Sequence, residues 1–313
     1  MSAEISPVHV PPRRSAASDT LSGRGRRTAP WVLMYHSVGE CADDPYLVTV
    51  SPDRLERQLR WLNGRGLTGV GVAELLRARA DGRGKRLVGL TFDDGYADFV
   101  EHAVPLLRRY EHSATVFVLP GRLGGSNDWD ELGPRKPLLT EDGIRAAAAA
   151  GMEVGSHGLV HLDLTATADD VLAAEVRGSR DRLQEITGKA PEGFCYPYGK
   201  LDARVVNAVR AAGYAYGCAV GAGPLTGTHA LPRAYVGERD TAGHLHLKRL
   251  QHLLRRRPLP FEGGYAALPY ARTAGPRDSA DAPDVPDAPE VPDARVAEGS
   301  PVPSEPRVEQ DGR

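Results

Sequence analysis

The sequence predicts an α/β protein built on parallel strands, and three observations carry that prediction. Short apolar runs alternate with amphipathic helical stretches from Trp31 to Val236. The run before Asp93 is apolar at consecutive positions, as a strand buried on both faces requires. Distinctive polar groups then fall where such runs end, at Asp93-Asp94-Gly95, at Ser156-His157-Gly158-Leu159-Val160-His161 and at Tyr196-Pro197-Tyr198-Gly199. In parallel α/β folds that is the end where loops gather and ligands bind. About seven strands can be counted, and a barrel and a doubly wound open sheet both accommodate the bare pattern.

Trp31 to Val38 reads as the first strand and ends in Tyr35-His36, so His36 is expected to face the same cleft as the acids. Ser51 to Leu62 is a helix, with Ser51-Pro52 as cap and first turn and Leu55, Leu59 and Leu62 at helical spacing. Val72 to Ala80 is a second helix. The strand ending at Phe92 is followed by a helix over Ala97 to Tyr110 and a strand over Ala114 to Leu119. Pro120 to Pro137 is a Gly/Asn/Asp-rich loop that roofs the cleft and carries Trp129, whose ring offers an apolar face to a sugar. Thr140 caps a helix to Ala150. Helices at Ala168 to Thr187 and Leu201 to Ala212 alternate with strands beginning at Gly193 and Tyr214, and Ala230 to Val236 is the last strand.

Asp-Asp-Gly alone is ordinary turn chemistry. It gains meaning from the second polar segment, where His157 and His161 stand in an i, i+4 relation. If those residues form one helical turn, the imidazoles share a face at chelating distance. A His-His-Asp set with open coordination positions follows, and a glycine after the two acids can turn both toward one cleft.

Taken together, Thr91-Phe92-Asp93-Asp94-Gly95, Ser156-His157-Gly158-Leu159-Val160-His161 and Phe194-Cys195-Tyr196-Pro197-Tyr198-Gly199 resemble the first three motifs of the polysaccharide deacetylase family, also called carbohydrate esterase family 4 or NodB-homology domains. Val32-Leu33-Met34-Tyr35-His36-Ser37-Val38-Gly39 and Leu231-Pro232-Arg233 resemble its exopolysaccharide-type branch. The resemblance covers about Trp31 to Gly237 and selects the distorted (β/α)7 barrel over the open sheet. It implies a hydrolase acting on carbon–nitrogen bonds other than peptide bonds, one that removes acetyl groups from N-acetylated or O-acetylated sugars of a polysaccharide or glycoconjugate. Asp94, His157 and His161 become the expected metal ligands, for zinc, or for nickel or cobalt on the same donor set. Asp93 is the expected general base. The Tyr198 backbone N–H is expected to meet the oxyanion, and Trp129, Tyr198 and Pro197 to contact substrate.

Two departures from the family pattern shape the remaining expectations. Cys195 stands where many members carry an arginine that pairs with the base, and Arg233 is the candidate replacement. The Leu-x-His motif that supplies a general acid is missing, and His36 is the candidate for that role. A metal amidohydrolase acting on a non-sugar C–N bond and an inactive carbohydrate-binding relic are the alternative readings.

Composition bounds the partners. With 41% hydrophobic residues and a formal net charge of −2, the chain has no electrostatic case for binding nucleic acid, and a monomer is expected. Cys41, Cys195 and Cys218 form neither a disulfide framework nor a cysteine metal site. Residues 1–29 form an expected disordered arm, arginine-rich but lacking the apolar core of a signal peptide, and no membrane-spanning run occurs. The expectation is therefore cytoplasmic, or extracytoplasmic if the start is misassigned. The catalytic domain is expected at 30–240 and a helical extension at 241–271, where Thr241 to Arg257 ends in a basic cluster read as a solvated helix terminus in preference to a membrane or polyanion patch. Residues 272–313, rich in Asp, Ala and Pro, form an expected disordered acidic tail.

Overall fold

The structure, a computed structural model, describes residues 28–40, 42–221, 223–255 and 259. The expected tail, all of the expected arm before Thr28, and Cys41 lie outside the described residues. The strands in chain order are β1 (Val32–Tyr35), β2 (Ser37–Val38), β3 (Thr49–Val50), β4 (Thr68–Val70), β5 (Leu87–Phe92), β6 (Thr115–Val118), β7 (Glu153–Ser156), β8 (Gly193–Cys195), β9 (Tyr216–Ala219), β10 (Leu231–Pro232) and β11 (Ala234–Tyr235). The helices are α1 (Pro52–Asn63), α2 (Val72–Ala80), α3 (Val104–Arg109), α4 (Glu141–Ala149), α5 (Asp169–Ala173), α6 (Ser179–Thr187), α7 (Ala203–Ala211) and α8 (Ala242–Arg255).

All strand pairs are parallel, and the principal sheet runs β10-β9-β8-β7-β6-β5-β1-β11. β10 and β11 are one segment interrupted only at Arg233, and they pair with opposite ends of that order. The segment thereby closes the sheet into a distorted (β/α)7 barrel, with β1, β5, β6, β7, β8, β9 and the split last strand as its staves. β4 pairs with the first half of β5, which the expected strand list lacks.

Strand alternation sorts the core. Val32, Phe117, Cys195, Tyr216, Cys218 and Leu231 cluster together in one core, closed by Val70, Val72 and Leu75 from β4 and α2. Leu33, Val116 and Val118, their neighbours in sequence, together with Phe92 belong to a second cluster with Leu55, Leu59 and Leu62 of α1 and with Phe99 and Leu107. A third cluster joins Phe194 to Leu172, Val176, Val205 and Val209 of the later helices.

Local chemistry explains the helix starts. The Ser51 hydroxyl accepts from the Arg54 N–H at 3.2 Å, and Thr140 does the same for Gly143 at 3.1 Å, each satisfying an otherwise orphaned first-turn donor. Two expected helices are broken by π turns. Phe99–Ala103 precedes α3, and Ala174–Gly178 separates α5 from α6. The first expected strand is likewise divided at His36.

Candidate active site

The site forms where β1, β5, β7 and β8 end. Thr91 and Asp93 share one parity of β5, and the Thr91 hydroxyl receives a bond from Arg233, so Asp93 continues toward the interior. Regular alternation would send Asp94 the other way. Instead Asp94 takes a φ of 69° and Gly95 one of 70°, two successive left-handed residues that swing the second carboxylate to the mouth beside the first. A side chain at Gly95 would also collide with Val118, its Cβ standing 2.8 Å from Val118 Cγ1. The expectation that a turn aims both acids at one cleft holds, with Asp94 itself taking part.

His157 and His161 do converge on Asp94, but not through a helical turn. Residues 157–161 form a bend in which Gly158 has φ of 85° and His161 of 69°. His157 Nε2 lies 3.1 Å and His161 Nε2 3.5 Å from Asp94 Oδ1. The His157 Nδ1 is 2.8 Å from the Cys195 carbonyl, to which only a protonated Nδ1 can donate, leaving Nε2 to face the carboxylate. Burial pushes the Asp94 carboxyl up, but hydrogen bonds from both imidazoles outweigh it and hold the group well below the carboxylate range. Burial holds the His161 imidazole below its ordinary value; burial acts the same way on His157, but its contacts with Cys195 and Asp94 outweigh it and raise that ring.

One carboxylate and two imidazole nitrogens from three positions, their donor atoms within 4.8 Å of one another, fit a divalent cation. None of Asp93, Asp94, His157, His161 and Arg233 is more than 7% exposed. A buried acceptor cluster of this kind has little water to compete for it.

Arg233 holds Asp93 with a bidentate pair, Nη1 donating to Oδ1 at 2.6 Å and Nη2 to Oδ2 at 2.7 Å. It enters from the break between β10 and β11, and its remaining donors reach Thr91 Oγ1 at 3.0 Å, the Ala219 carbonyl at 3.3 Å and Cys195 Sγ at 3.1 Å. Burial alone would raise the Asp93 carboxyl; the charge and hydrogen bonds of Arg233 overcome that and lower it. Cys195 thus sits beside the pair, its thiol 3.4 Å from Asp93 Oδ2. His36 Nε2 stands 3.9 Å from the same oxygen.

Aromatic side chains wall the His161 side. Trp129 stacks on the His161 ring at 4.4 Å with 25° between planes, so one of its faces covers an imidazole. Tyr198 meets the same ring edge-on at 4.4 Å and is 51% exposed. Its φ of 57° belongs to the Pro197–Gly199 turn, where Tyr196 and Pro197 carbonyls engage the N–H groups of Gly199 and Lys200.

Sequence reasoning missed Glu175. Its carboxylate Oε2 accepts the N–H groups of Leu159 at 2.7 Å and Val160 at 3.3 Å, and so clamps the bend between the two histidines. The signal was a glutamate on the apolar face of a helix, three residues after Leu172 and one before Val176. Asp130 was missed as well. It accepts from Tyr96 at 3.4 Å and Asn127 at 3.3 Å, and burial raises its carboxyl.

A closed parallel barrel thus carries at its mouth a buried Asp-His-His cluster with an arginine-held acid alongside. Residues 80–217 match the family model described as polysaccharide deacetylase, and over that span the chain is similar to this family of hydrolases acting on C–N bonds. The matched span includes both acids, both histidines and Cys195 and leaves out His36 and Arg233. YxkH of Bacillus subtilis, named for the same family, is 26% identical over 210 residues, 66% of this chain and 70% of its own. The Staphylococcus aureus poly-β-1,6-N-acetyl-D-glucosamine N-deacetylase is 23% identical over 63% of this chain and 70% of its own. The Streptococcus pyogenes deacetylase PplD, solved in complex with acetate, shares the fold with a TM-score of 0.61 at 24% identity, covering 71% of this chain and 98% of that one. Among the described residues no helix is long and apolar enough to cross a membrane.

Proposed function

We propose that this protein removes acetyl groups from N-acetylated, or O-acetylated, sugars of a polysaccharide or glycoconjugate, with Asp93 as general base beside a cation held by Asp94, His157 and His161. The observation that carries the reading is the convergence of both imidazoles on Asp94 next to a second carboxylate fixed by Arg233. The donor set suits zinc, and nickel or cobalt fit the same two nitrogens and one oxygen. Such a cation, when bound, supplies Lewis-acid polarisation of the acyl oxygen and eases deprotonation of water.

The chain's own groups divide the proton work. Asp93, kept ionised by Arg233, takes the proton of the attacking water on its carboxylate. Arg233 orients that carboxylate and cannot itself accept a proton. His36, with Nε2 directed at the Asp93 side of the cleft, delivers a proton to the departing nitrogen or oxygen. The Tyr198 backbone N–H, at a left-handed turn, stabilises the oxyanion, and Trp129, Tyr198 and Pro197 offer ring surfaces to the sugar. A β-1,6-linked N-acetylglucosamine polymer, as in the name of the staphylococcal relative, is the first substrate to assay. With a polymer of that kind as substrate, the enzyme acts outside the cytoplasm.

The test combines metal analysis of the purified chain with an acetate-release assay on N-acetylglucosamine oligomers. Asp93→Asn is expected to abolish turnover while keeping the metal, and Asp94→Ala to lose both. Undiminished acetate release by Asp93→Asn removes it from the base role. Failure of the parent to release acetate under any divalent metal supplement overturns the reading as a whole.

A further inference from the structure

α8 is an amphipathic helix whose apolar face points away from the barrel. The residues that dock it are Leu245, which is fully buried, Lys248, whose Nζ donates to the Tyr235 carbonyl at 2.6 Å and to Asp240 Oδ2 at 2.9 Å, and His252, which stacks on Trp31 at 6.3 Å. They are spaced i, i+3, i+7 and therefore form one face. Leu247, Leu250 and Leu254 repeat the same spacing on another face and are 50%, 45% and 75% exposed, with Leu253 beside them at 46%. A helix that served only to cover the barrel would bury its leucines and leave lysine and histidine to water. Here the arrangement is reversed.

Charge decides what can cover that face. From Thr241 to Arg257 the sequence has no acidic residue against five Lys or Arg and three His. At 100° per residue, Arg249 and Arg255 fall on the two borders between the docked face and the leucine face. A second copy of α8 laid against the first would bring cationic borders together with no acid to offset them. A soluble polyanion would match the cations and leave four leucines without a partner. A lipid surface with anionic headgroups satisfies both, its acyl boundary taking the leucines and its headgroups the arginines. The 14 residues of α8 span about 21 Å, too short to cross a bilayer and suited to lying in its plane.

We propose that α8 is an interfacial anchor that seats this domain on an anionic membrane surface through Leu247, Leu250, Leu253 and Leu254, flanked by Arg249 and Arg255. The inference is independent of the acetyl-hydrolase reading, and its readout is partitioning, not turnover.

The experiment is co-sedimentation of the full chain with extruded phosphatidylcholine vesicles, with and without phosphatidylglycerol. The parent is expected to pellet with the anionic vesicles, to bind neutral ones weakly and to release in high salt. L250S/L254S is expected to partition at least about tenfold less. R249E/R255E is expected to lose the preference for anionic lipid. All four positions are on the surface, and unchanged thermal midpoints for the variants confirm that they fold. Binding by L250S/L254S equal to the parent's, no parental binding to anionic vesicles, or no preference for them overturns the proposal. So does a parental dimer in light scattering that the leucine variant lacks, which would assign the face to a second copy.

Discussion

Replacing Arg233 with methionine isolates the pair on which the base role rests. The guanidinium makes two charge-assisted bonds to Asp93 at 2.6 and 2.7 Å, and the carboxylate it leaves behind is 3% exposed. Removing one partner of a buried ion pair strands a charge that burial alone penalises, at a cost of about 3 kcal/mol or more. For a barrel of this size that lowers Tm by roughly 6–12 °C. In the parent, Arg233 lowers the Asp93 carboxyl, so the pair's contribution is present above the unfolded pKa and is lost as pH falls through the folded one. In Arg233→Met the sign reverses, because desolvation now raises the same carboxyl. The variant's deficit is therefore largest at neutral pH and shrinks on acidification.

Activity reports the same shift. The acid limb of the pH–rate profile for acetate release is expected to move up in Arg233→Met, since the base must still be ionised and burial now raises it unopposed by Arg233. Arg233→Lys, which keeps the charge and loses the fork, is expected to fall between the two. Asp93→Asn/Arg233→Met removes the stranded charge and is expected to recover most of the lost stability without turnover. An unmoved acid limb in Arg233→Met, or a double variant no more stable than the single, would refute the account of Asp93 and Arg233 as a base and its holder.

Two further predictions rest on other contacts. Glu175→Ala leaves the Leu159 and Val160 N–H groups without their acceptor and loosens the bend between His157 and His161, so zinc affinity measured by chelator competition is expected to fall about 10–100-fold. Glu175→Gln, which retains an acceptor oxygen, is expected to restore much of it; equal affinity in Glu175→Ala would remove the clamp from the site's assembly. His112 is buried, its Nδ1 accepting the Gly69 N–H at 3.1 Å, and burial lowers its pKa from the ordinary 6.5. A depressed histidine pKa means that the unfolded chain binds the proton first, so stability is level above about pH 6.5 and falls below it, by at most about 1.4 kcal/mol per pH unit. His112→Asn, with an amide oxygen near the Nδ1 position, is expected to remove that part of the slope in urea unfolding between pH 7.5 and 5.5. A slope unchanged by the substitution would show that His112 is not its source.

What could be read from the sequence was what its neighbours in sequence decide. Ser51-Pro52 and Thr140 start α1 and α4 because a cap acts within one turn, and the apolar run into Asp93-Asp94 marks β5 because burial on both faces leaves no alternation to disguise it. The i, i+4 spacing of His157 and His161 is visible in the sequence, but the bend at 157–161 that brings them together is not, because its cause lies elsewhere. Gly158 at φ of 85° permits it, and Glu175, on a helix reached only after the chain has left the site, holds it in place. Gly178 belongs to the same device, since a Cβ there would stand 3.0 Å from Leu159 Cδ1. The strand over Ala230 to Val236 was visible, yet nothing local could say that its two halves pair with opposite ends of the sheet and admit Arg233 between them.

α8 marks the boundary most sharply. Its spacing reveals two stripes, one of Leu245, Lys248 and His252 and one of Leu247, Leu250 and Leu254, and hydropathy alone assigns the second to the core. The barrel reverses that choice because Asp240 and the Tyr235 carbonyl are waiting for the Lys248 ammonium and Trp31 for the His252 ring. Periodicity gives a helix its faces, whereas the groups it meets decide which face turns inward. Leucines left outside by that decision are then evidence about the helix's surroundings, because desolvating them is a favourable term that the barrel itself does not collect.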